Sequence, residues 1–576
     1  MKFINELQRR NVIKETLAYL VVSWIILQVV SIVLPIMNAP DWVLKTVIFF
    51  LVLGLPFWVF FSWVYQITPE GLKKTKKNSE EHINSSVTNK RLNIVIIVTL
   101  ILAIAISFVN KPLAKVDSKS IANSELTEEI SIAVLPFVNM SGDEEQEYFA
   151  DGLSEELINM FTKIPELRVI GRTSSFAFKG ENEDLRDIGN KLDVNYLLEG
   201  SVRKSGNKIR ITAQLIKSID GSHLWSKTFD RNLEDIFKIQ DEISASVVNA
   251  FSITLLKDNP LTENKIIDSE AYNYFLRGRY YYESNFETNS TDGAITWFKK
   301  AIELDSTFSL PWTYLGMCYW RKSNNSLDDN FYKAKKVSVK AFELDPSSGI
   351  AAVNLGEILD NEYDFQRALE MIDLGLQLEP NNPYVLRNVG RFYTILGRET
   401  ESIENCQKAL KNDPIQRTAL EYLLEAYYHA RQYDNVNLII YKYKDLYPSI
   451  MDERVVINVL TMENSNVEKL KKAKEKMSPE SSLILYTNLL LAIKVSDDKE
   501  AEEMLSQLVE KYPHRRYRIA LAYASMGENS KALDWLEKSF TFKDKDMVYV
   551  NVEPTFYVIK DSVRFKNLIK QMDFPK

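Results

Sequence analysis

The chain has 576 residues, of which 71 are basic and 78 acidic, and its formal net charge is −7. This length predicts several domains, and the slight acidic excess gives no electrostatic footprint for nucleic acid. Cys318 and Cys406 are far apart in sequence, and the four histidines lack a metal-ligand spacing. We therefore expect no nucleic-acid partner, no metal and no cofactor.

Three uncharged runs of similar length dominate the first fifth of the chain, at residues 17–36, 46–68 and 92–110. A helix of about 20 residues spans the ~30 Å hydrocarbon core of a lipid bilayer. The runs therefore predict an anchor of three transmembrane helices over residues 17–110.

Basic residues concentrate in the tail at 1–16 and in the loop at 68–91. Because basic segments remain on the cytoplasmic side of a membrane, tail and loop are expected to be cytoplasmic. Residues 111–128 are polar and aperiodic, which indicates a linker. Three spans would place everything after this linker on the far side of the membrane.

Residues 129–256 have the pattern of a small α/β domain. Gly206 lies between two strands of alternating apolar and polar residues, which is typical of a β-hairpin. The expected elements are strands at 131–137, 167–170, 194–203 and 208–217 and helices at 149–161, 185–192 and 233–255.

The first of these helices carries enough carboxylates to raise the question of a catalytic or metal site. Apolar residues recur every four positions from Phe149 to Phe161, which predicts one buried face. Asp151 is expected to cap the helix, and Glu155 and Glu156 to point away from the core. A calcium loop would need acids at alternating positions. We therefore interpret the stretch as a capped amphipathic helix and assign no catalytic residue; a cryptic site in the α/β domain is the remaining enzyme hypothesis.

Five sequence blocks occur in order between residues 131 and 251: SIAVLPF, YFADGLSEELI, VIGRTSSFAFKG, YLLEGSVRKSGNKIRITAQLI and HLWSKTFDR. Together they resemble the TolB amino-terminal-like α/β domain. In bacteria this module often precedes tetratricopeptide (TPR) repeats, in membrane proteins and in proteins with a nucleotide cyclase or winged-helix domain. The resemblance implies a domain without an attributed catalytic residue and a Gram-negative envelope. It thus implies an inner-membrane protein whose carboxy-terminal domains are periplasmic.

A repeat of 34 residues follows, since Pro346, Pro380, Pro414 and Pro448 are evenly spaced by that number. This is the TPR period. It predicts an all-α TPR solenoid of about eight units over residues 269–543, with 544–576 as a capping segment. The residues around Asn458 depart from the pattern.

In a TPR stack the first helix of each pair lines the concave face, here called the inner face. Arg387 and Arg391 lie one helical turn apart beside aromatic residues, which predicts binding of an extended peptide with an acidic group. The alternative is that these arginines pair with Glu357, Glu421 or Glu425 on neighbouring helices. The predicted peptide-binding residues are Tyr272, Phe275, Arg279, Thr313, Met317, Trp320, Val353, Glu357, Tyr384, Arg387, Asn388 and Arg391, with Thr394 beside them.

The sequence thus predicts a multidomain protein with a three-helix transmembrane anchor, a small α/β domain and an all-α TPR solenoid. A non-enzymatic scaffold that binds proteins or peptides through a periplasmic TPR groove is the expected function. The alternative is a sensory or regulatory membrane subunit whose α/β domain binds a ligand and signals to a cytoplasmic partner.

Overall fold

The structure, a computed structural model, describes residues 130–141, 146–181, 183–250, 267–283, 290–443, 446–447 and 482–575, with scattered positions between 19 and 74 and between 467 and 475. The chain divides into two compact units, Met1–Ser124 and Glu125–Lys576. Each unit is described by itself.

The first unit requires a correction of the predicted transmembrane anchor. Strand β1, Tyr65–Thr68, pairs antiparallel with strand β2, Gly71–Lys74, where the second predicted span was expected to end as a helix. Among the residues that the structure describes, no helix combines the length and apolar character needed to cross a bilayer. The predicted three-helix anchor is therefore wrong. An apolar run reports how much apolar surface the chain carries, but it does not fix the backbone hydrogen bonds that the run makes.

The predicted localisation depended on that anchor and is wrong for the same reason. This concerns the three-pass inner-membrane topology, the cytoplasmic amino terminus and the periplasmic position of the later domains. The third predicted span at 92–110 and the linker at 111–128 lie outside the described residues.

The second unit begins with one mixed sheet of six strands. The strand order is β5–β3–β6–β7–β8, and β4 pairs with β6. Strand β3 is parallel to β5 and β6, whereas β6, β7 and β8 form an antiparallel meander. The strands are β3 Ile130–Val134, β4 Val138–Asn139, β5 Leu167–Val169, β6 Tyr196–Ser205, β7 Lys208–Lys217 and β8 His223–Asn232.

The predicted hairpin is confirmed as β6 and β7, joined by Gly206 and Asn207. Gly206 has φ +61°, a left-handed conformation that tight hairpin turns require. Strand β8 was not predicted, because most of its side chains are exposed and the apolar alternation is weak.

Helices cover both faces of the sheet. Ile239 and Leu157 join Ile211 in one core, and Ile188 joins Leu197 in a second core on the opposite face. The predicted helix at 185–192 is confirmed, and the one at 233–255 consists of a 3-10 turn followed by a helix that begins at residue 236. The helices are α1 Glu147–Thr162, α2 Arg172–Phe176, α3 Leu185–Leu192 and α4 Ile236–Ala250.

The carboxylates of α1 do not lie as predicted. The helix begins at Glu147, so Asp151 lies inside it rather than at its cap. Asp151 and Glu155 are only 5% and 3% exposed. The prediction that Glu155 and Glu156 point away from the core is therefore wrong, because the solenoid packs against this helix and supplies basic partners.

The predicted TPR solenoid is confirmed by successive pairs of antiparallel helices. Glycines allow the helices of a pair to approach closely: a Cβ atom at Gly390 would lie 2.4 Å from the Cys406 sulfur. The pairs are α5 Ser269–Glu283 with α6 Ser290–Leu304, α7 Ser309–Lys322 with α8 Asp329–Leu344, α9 Gly349–Asn361 with α10 Phe365–Leu378, α11 Pro383–Ile395 with α12 Glu399–Asn412, α13 Arg417–His429 with α14 Tyr433–Tyr443, α15 Ser482–Lys494 with α16 Asp498–Lys511, and α17 Arg516–Ser525 with α18 Asn529–Thr541.

The capping segment after these pairs is only partly α-helical. Two 3-10 turns, Lys545–Tyr549 and Pro554–Val558, precede a last helix α19, Val563–Met572. The unit predicted around Asn458 lies outside the described residues.

Two loops between successive repeats hold the α/β domain. The Asn381 side-chain amide nitrogen lies 3.0–3.1 Å from three carbonyl oxygens of the 164–167 turn. The Asp413 carboxylate accepts hydrogen bonds of 2.8 and 2.6 Å from the backbone N–H and hydroxyl of Ser174. The α/β domain and the solenoid are therefore joined by buried polar contacts at successive repeats.

The Asn381 contact predicts a measurable loss of stability. The variant Asn381→Ala should lower the free energy of unfolding by about 1–3 kcal/mol, because it removes the buried amide that donates to the carbonyl groups of this turn. Urea unfolding measures this change. The control Asn405→Ala removes an exposed bond to a carbonyl of its own helix and should stay within about 0.5 kcal/mol. Equal losses for the two variants would contradict a stabilising contact between Asn381 and the α/β domain.

Candidate functional site: the inner face of the solenoid

Arg387 is an inner-face cation that has no ion pair among the residues that the structure describes. Its guanidinium lies 4.8 Å from the centroid of the Tyr384 ring. Its Nε is buried and has no hydrogen-bond partner. Among the described residues, Arg387 makes no ion pair. A guanidinium without an ion pair can donate hydrogen bonds to the carboxylate of a ligand.

The charge of this guanidinium acts on tyrosines from three different repeats. Burial raises the pKa of Tyr282 to about 12, and it also raises the pKa values of Tyr384 and Tyr422. The positive charge of Arg387 opposes the rise in pKa at all three tyrosines. All four side chains are half-buried, so this part of the inner face is accessible.

Arg391, one turn further along α11, is already paired. Its guanidinium donates to the Asp360 carboxylate over 2.7 Å, and both side chains are buried. Burial raises the pKa of Asp360 to about 6, which the Arg391 charge opposes. The partner lies on a neighbouring helix, as the alternative hypothesis expected, but it is none of the three acids named there. Glu357 instead accepts a hydrogen bond of 3.2 Å from the Tyr384 hydroxyl.

The capping segment covers another part of the inner face. Lys545 donates to two carbonyl oxygens at the end of α7, including that of Trp320 at 3.1 Å. Its ammonium also lies 3.6 Å from the centroid of the Trp320 ring. The Tyr549 hydroxyl donates to the Glu425 carboxylate over 2.8 Å. The inner face thus binds a polypeptide segment through a cation and an aromatic hydroxyl.

The α/β domain covers the inner face at the first repeat. Arg279, 4% exposed, forms ion pairs with both Glu155 and Glu156 of α1. Burial raises the pKa of Glu156, and the Arg279 charge opposes this rise. Tyr272 accepts a hydrogen bond of 2.8 Å from the Gln240 side chain. These groups join the two domains.

The predicted peptide-binding residues therefore differ in accessibility. Trp320, Tyr384 and Arg387 are half-buried, and peptide binding by the whole set stays a prediction. The buried members are Tyr272, Phe275, Arg279, Thr313, Met317, Val353, Glu357, Asn388 and Arg391.

Sequence reasoning missed Tyr282, Tyr422 and the contact of the capping segment with the inner face. A signal for Tyr422 was present, because it follows the predicted Asn388 by one repeat of 34 residues. Lys545 has no such signal, since it lies 225 residues from Trp320.

The described residues hold no cluster of three or more histidine, cysteine, aspartate or glutamate side chains that could bind a metal ion. Both cysteines are buried, and burial raises the pKa of Cys318 to about 12. That thiol is therefore not an activated nucleophile.

The second unit consists of the α/β domain followed by successive antiparallel helix pairs. These helix pairs define the class of this protein as a TPR solenoid protein. The α/β part matches a family profile: residues 128–246 match the second domain of HilA/YgeH-like transcriptional regulators. This match covers well under half of the chain and lies in the segment that resembles the TolB amino-terminal-like domain.

Two relatives also match parts of the chain. A protein of Rhizobium meliloti (strain 1021) named "Putative adenylate cyclase 3" is 39% identical over 223 residues, which are 38% of this chain and 38% of that protein. Tetratricopeptide repeat protein 37 of Xenopus laevis is 29% identical over 168 residues, 28% of this chain and 10% of its own. The chain thus spans well under half the length of either relative.

Among solved structures, PilF of Pseudomonas aeruginosa is similar to 45% of this chain over 96% of its own length. The sequence identity is 16% and the TM-score 0.27.

Proposed function

We propose that this chain is a non-enzymatic scaffold that binds partner proteins through acidic peptide segments at Arg387 on the inner face. Its α/β domain, of the TolB amino-terminal-like type, serves as a fixed support for the solenoid. The observation that carries the proposal is the half-buried Arg387. It has no carboxylate partner within the described part of the chain, although Arg279 and Arg391 on the same face are both paired.

The surroundings of Arg387 support an acidic peptide as the ligand. A guanidinium binds a carboxylate in a bidentate geometry, and the nearby rings of Tyr282, Tyr384 and Tyr422 offer apolar contact to the flanking residues. Solenoids commonly use extended concave surfaces for such recognition. The segment around Lys545 is further support, because this face already holds a stretch of polypeptide.

A regulatory role is the second candidate. The helix α5 supplies Tyr282 to the inner face and Arg279 to the α/β domain, so a ligand on the α/β domain would act on the same helix as a peptide. The Rhizobium meliloti relative is named as a cyclase. We propose no cyclase activity for this chain.

The variant Arg387→Gln tests the proposal. The probe is a labelled pool of random acidic peptides, compared with the same pool in which Gln and Asn replace Glu and Asp. We expect the wild-type chain to prefer the acidic pool, and Arg387→Gln to weaken binding about 10-fold or more, since a charge-assisted hydrogen bond contributes about 1.5–3 kcal/mol.

Arg367→Gln is the matched control. Arg367 lies on the outer helix α10, is exposed, and pairs with Asp364 of its own turn. This variant should bind the acidic pool as the wild-type chain does. Equal binding of the two pools, or an equal loss in both variants, would remove Arg387 from the site.

A further inference from the structure

A cavity of about 380 Å³ opens in the capping segment, away from Arg387. Its volume lies in the range of about 300–1,000 Å³ that is typical of ligand pockets. Val550, Phe556 and Phe565 form an apolar floor, and each is at most 5% exposed. The cavity is therefore fit to take one apolar side chain.

The mouth of the cavity is basic. Lys560 and Lys566 line it and are exposed. The Lys560 ammonium lies 4.6 Å from the centroid of the Tyr557 ring, and the Arg431 guanidinium lies 3.8 Å from the same ring. Among the described residues, Lys560 and Arg431 have no ion pair with a carboxylate.

Both acids of the cavity have partners of their own. Glu553 is buried and already accepts hydrogen bonds of 3.2 and 2.8 Å from the backbone N–H and hydroxyl of Thr555. Asp561 lies 3.4 Å from the Lys566 ammonium, and both side chains are largely exposed. Such an exposed pair is weak and can exchange partners. Among the described residues, Lys560 is therefore the lysine of the mouth that can contact a ligand carboxylate without giving up an ion pair.

We propose that this cavity binds the carboxy-terminal residue of a partner polypeptide. The apolar side chain of that residue lies on the phenylalanine floor, and its terminal carboxylate contacts Lys560 and Lys566. Val558 and Val563, on the same two elements, are 64% and 74% exposed and provide apolar surface for the residues that precede it. This outer surface favours a polypeptide over a small free acid. The site is separate from the one proposed at Arg387.

The test uses the full chain and a fluorescent hexapeptide that ends in Ala-Phe with a free carboxylate, compared with its carboxy-terminal amide. We expect the free acid to bind about 10-fold tighter than the amide, since one charge-assisted contact is lost in the amide. The double variant Lys560→Gln/Lys566→Gln should bind acid and amide equally. Lys570 is exposed and lies on α19, the helix of Lys566. The control Lys570→Gln should leave the preference for the free acid intact.

Three results would overturn the proposal: equal binding of acid and amide by the wild-type chain, an unchanged preference in the double variant, or binding of neither peptide at millimolar concentration. The variant Arg387→Gln separates the two sites. It should bind this hexapeptide as the wild-type chain does, and a loss of binding there would place the hexapeptide on the inner face instead.

Discussion

Replacing Arg279 by Met should lower the free energy of unfolding of the second unit by about 3–5 kcal/mol. The reason is that Glu155 and Glu156 lose their shared counter-charge while they stay buried between α1 and α5. Arg172 also pairs with Glu155, but Glu156 has no second basic partner among the ion pairs of the described residues. Urea unfolding followed by circular dichroism measures the change.

Arg564→Met is the control for this variant. Arg564 pairs with Asp534 and Glu537 on the surface, and exposed ion pairs contribute little to stability. Adding Glu156→Gln to Arg279→Met should restore part of the loss, because it removes the uncompensated charge. A small and equal effect of Arg279→Met and Arg564→Met would show that the two domains do not depend on this ion pair.

The variant Arg391→Met should be strongly destabilising at neutral pH and much less so in acid. At pH 7 it leaves the fully buried Asp360 without its cation, so the carboxyl either stays charged in the interior or takes up a proton, at a cost of up to about 3–5 kcal/mol. The pKa of Asp360 is raised from 3.8 to about 6 by burial, against the opposing charge of Arg391. Removing Arg391 raises that pKa further.

The direction of the pH dependence follows from proton binding. A carboxyl group whose pKa is higher in the folded state binds more protons there than in the unfolded state, so its contribution to stability is lost as the pH rises through that window. Between about pH 4 and 5 Asp360 is neutral in both proteins, and the difference between wild type and Arg391→Met should shrink. Unfolding curves at pH 5 and pH 7 check this, with the exposed Arg367→Met as a control. A difference that is constant over this range would contradict the buried pair.

The solenoid and the hairpin were predictable because their signals are local. The even spacing of Pro346, Pro380 and Pro414 marks the helix pairs, and Gly206 between alternating runs marks the β6–β7 turn. Each signal depends on residues that lie close together in sequence, so the backbone conformation follows from local preferences.

The burial of charges was not predictable in the same way. Glu156 of α1 reads as a solvent-facing residue until Arg279, 123 residues later, is placed against it. Lys545 similarly reaches the end of α7 across 225 residues. Such pairs are decided by how the domains pack, and no local pattern records them. Arg387 was found from its repeat position, but only the packing of Asp360 against Arg391 distinguishes it from its neighbour.

The transmembrane prediction was wrong because it inferred helices from the apolar composition of the runs alone. The run at 46–68 is uncharged, yet Tyr65–Thr68 uses its backbone groups to pair with Gly71–Lys74. The pairing of a strand with its neighbour depends on the turn between them, and a count of apolar residues does not include that turn.

Photo-crosslinking from the inner face tests the proposed scaffold most directly. Benzoylphenylalanine introduced in place of Tyr422 in the full chain should crosslink to the labelled acidic peptide pool. Tyr422 is half-buried on α13, the first helix of the repeat after that of Arg387. The same group in place of Glu370, which is exposed on the outer helix α10, should not. Adding Arg387→Gln should remove the adduct at position 422. No adduct there, or equal adducts at both positions, would contradict peptide binding at the inner face.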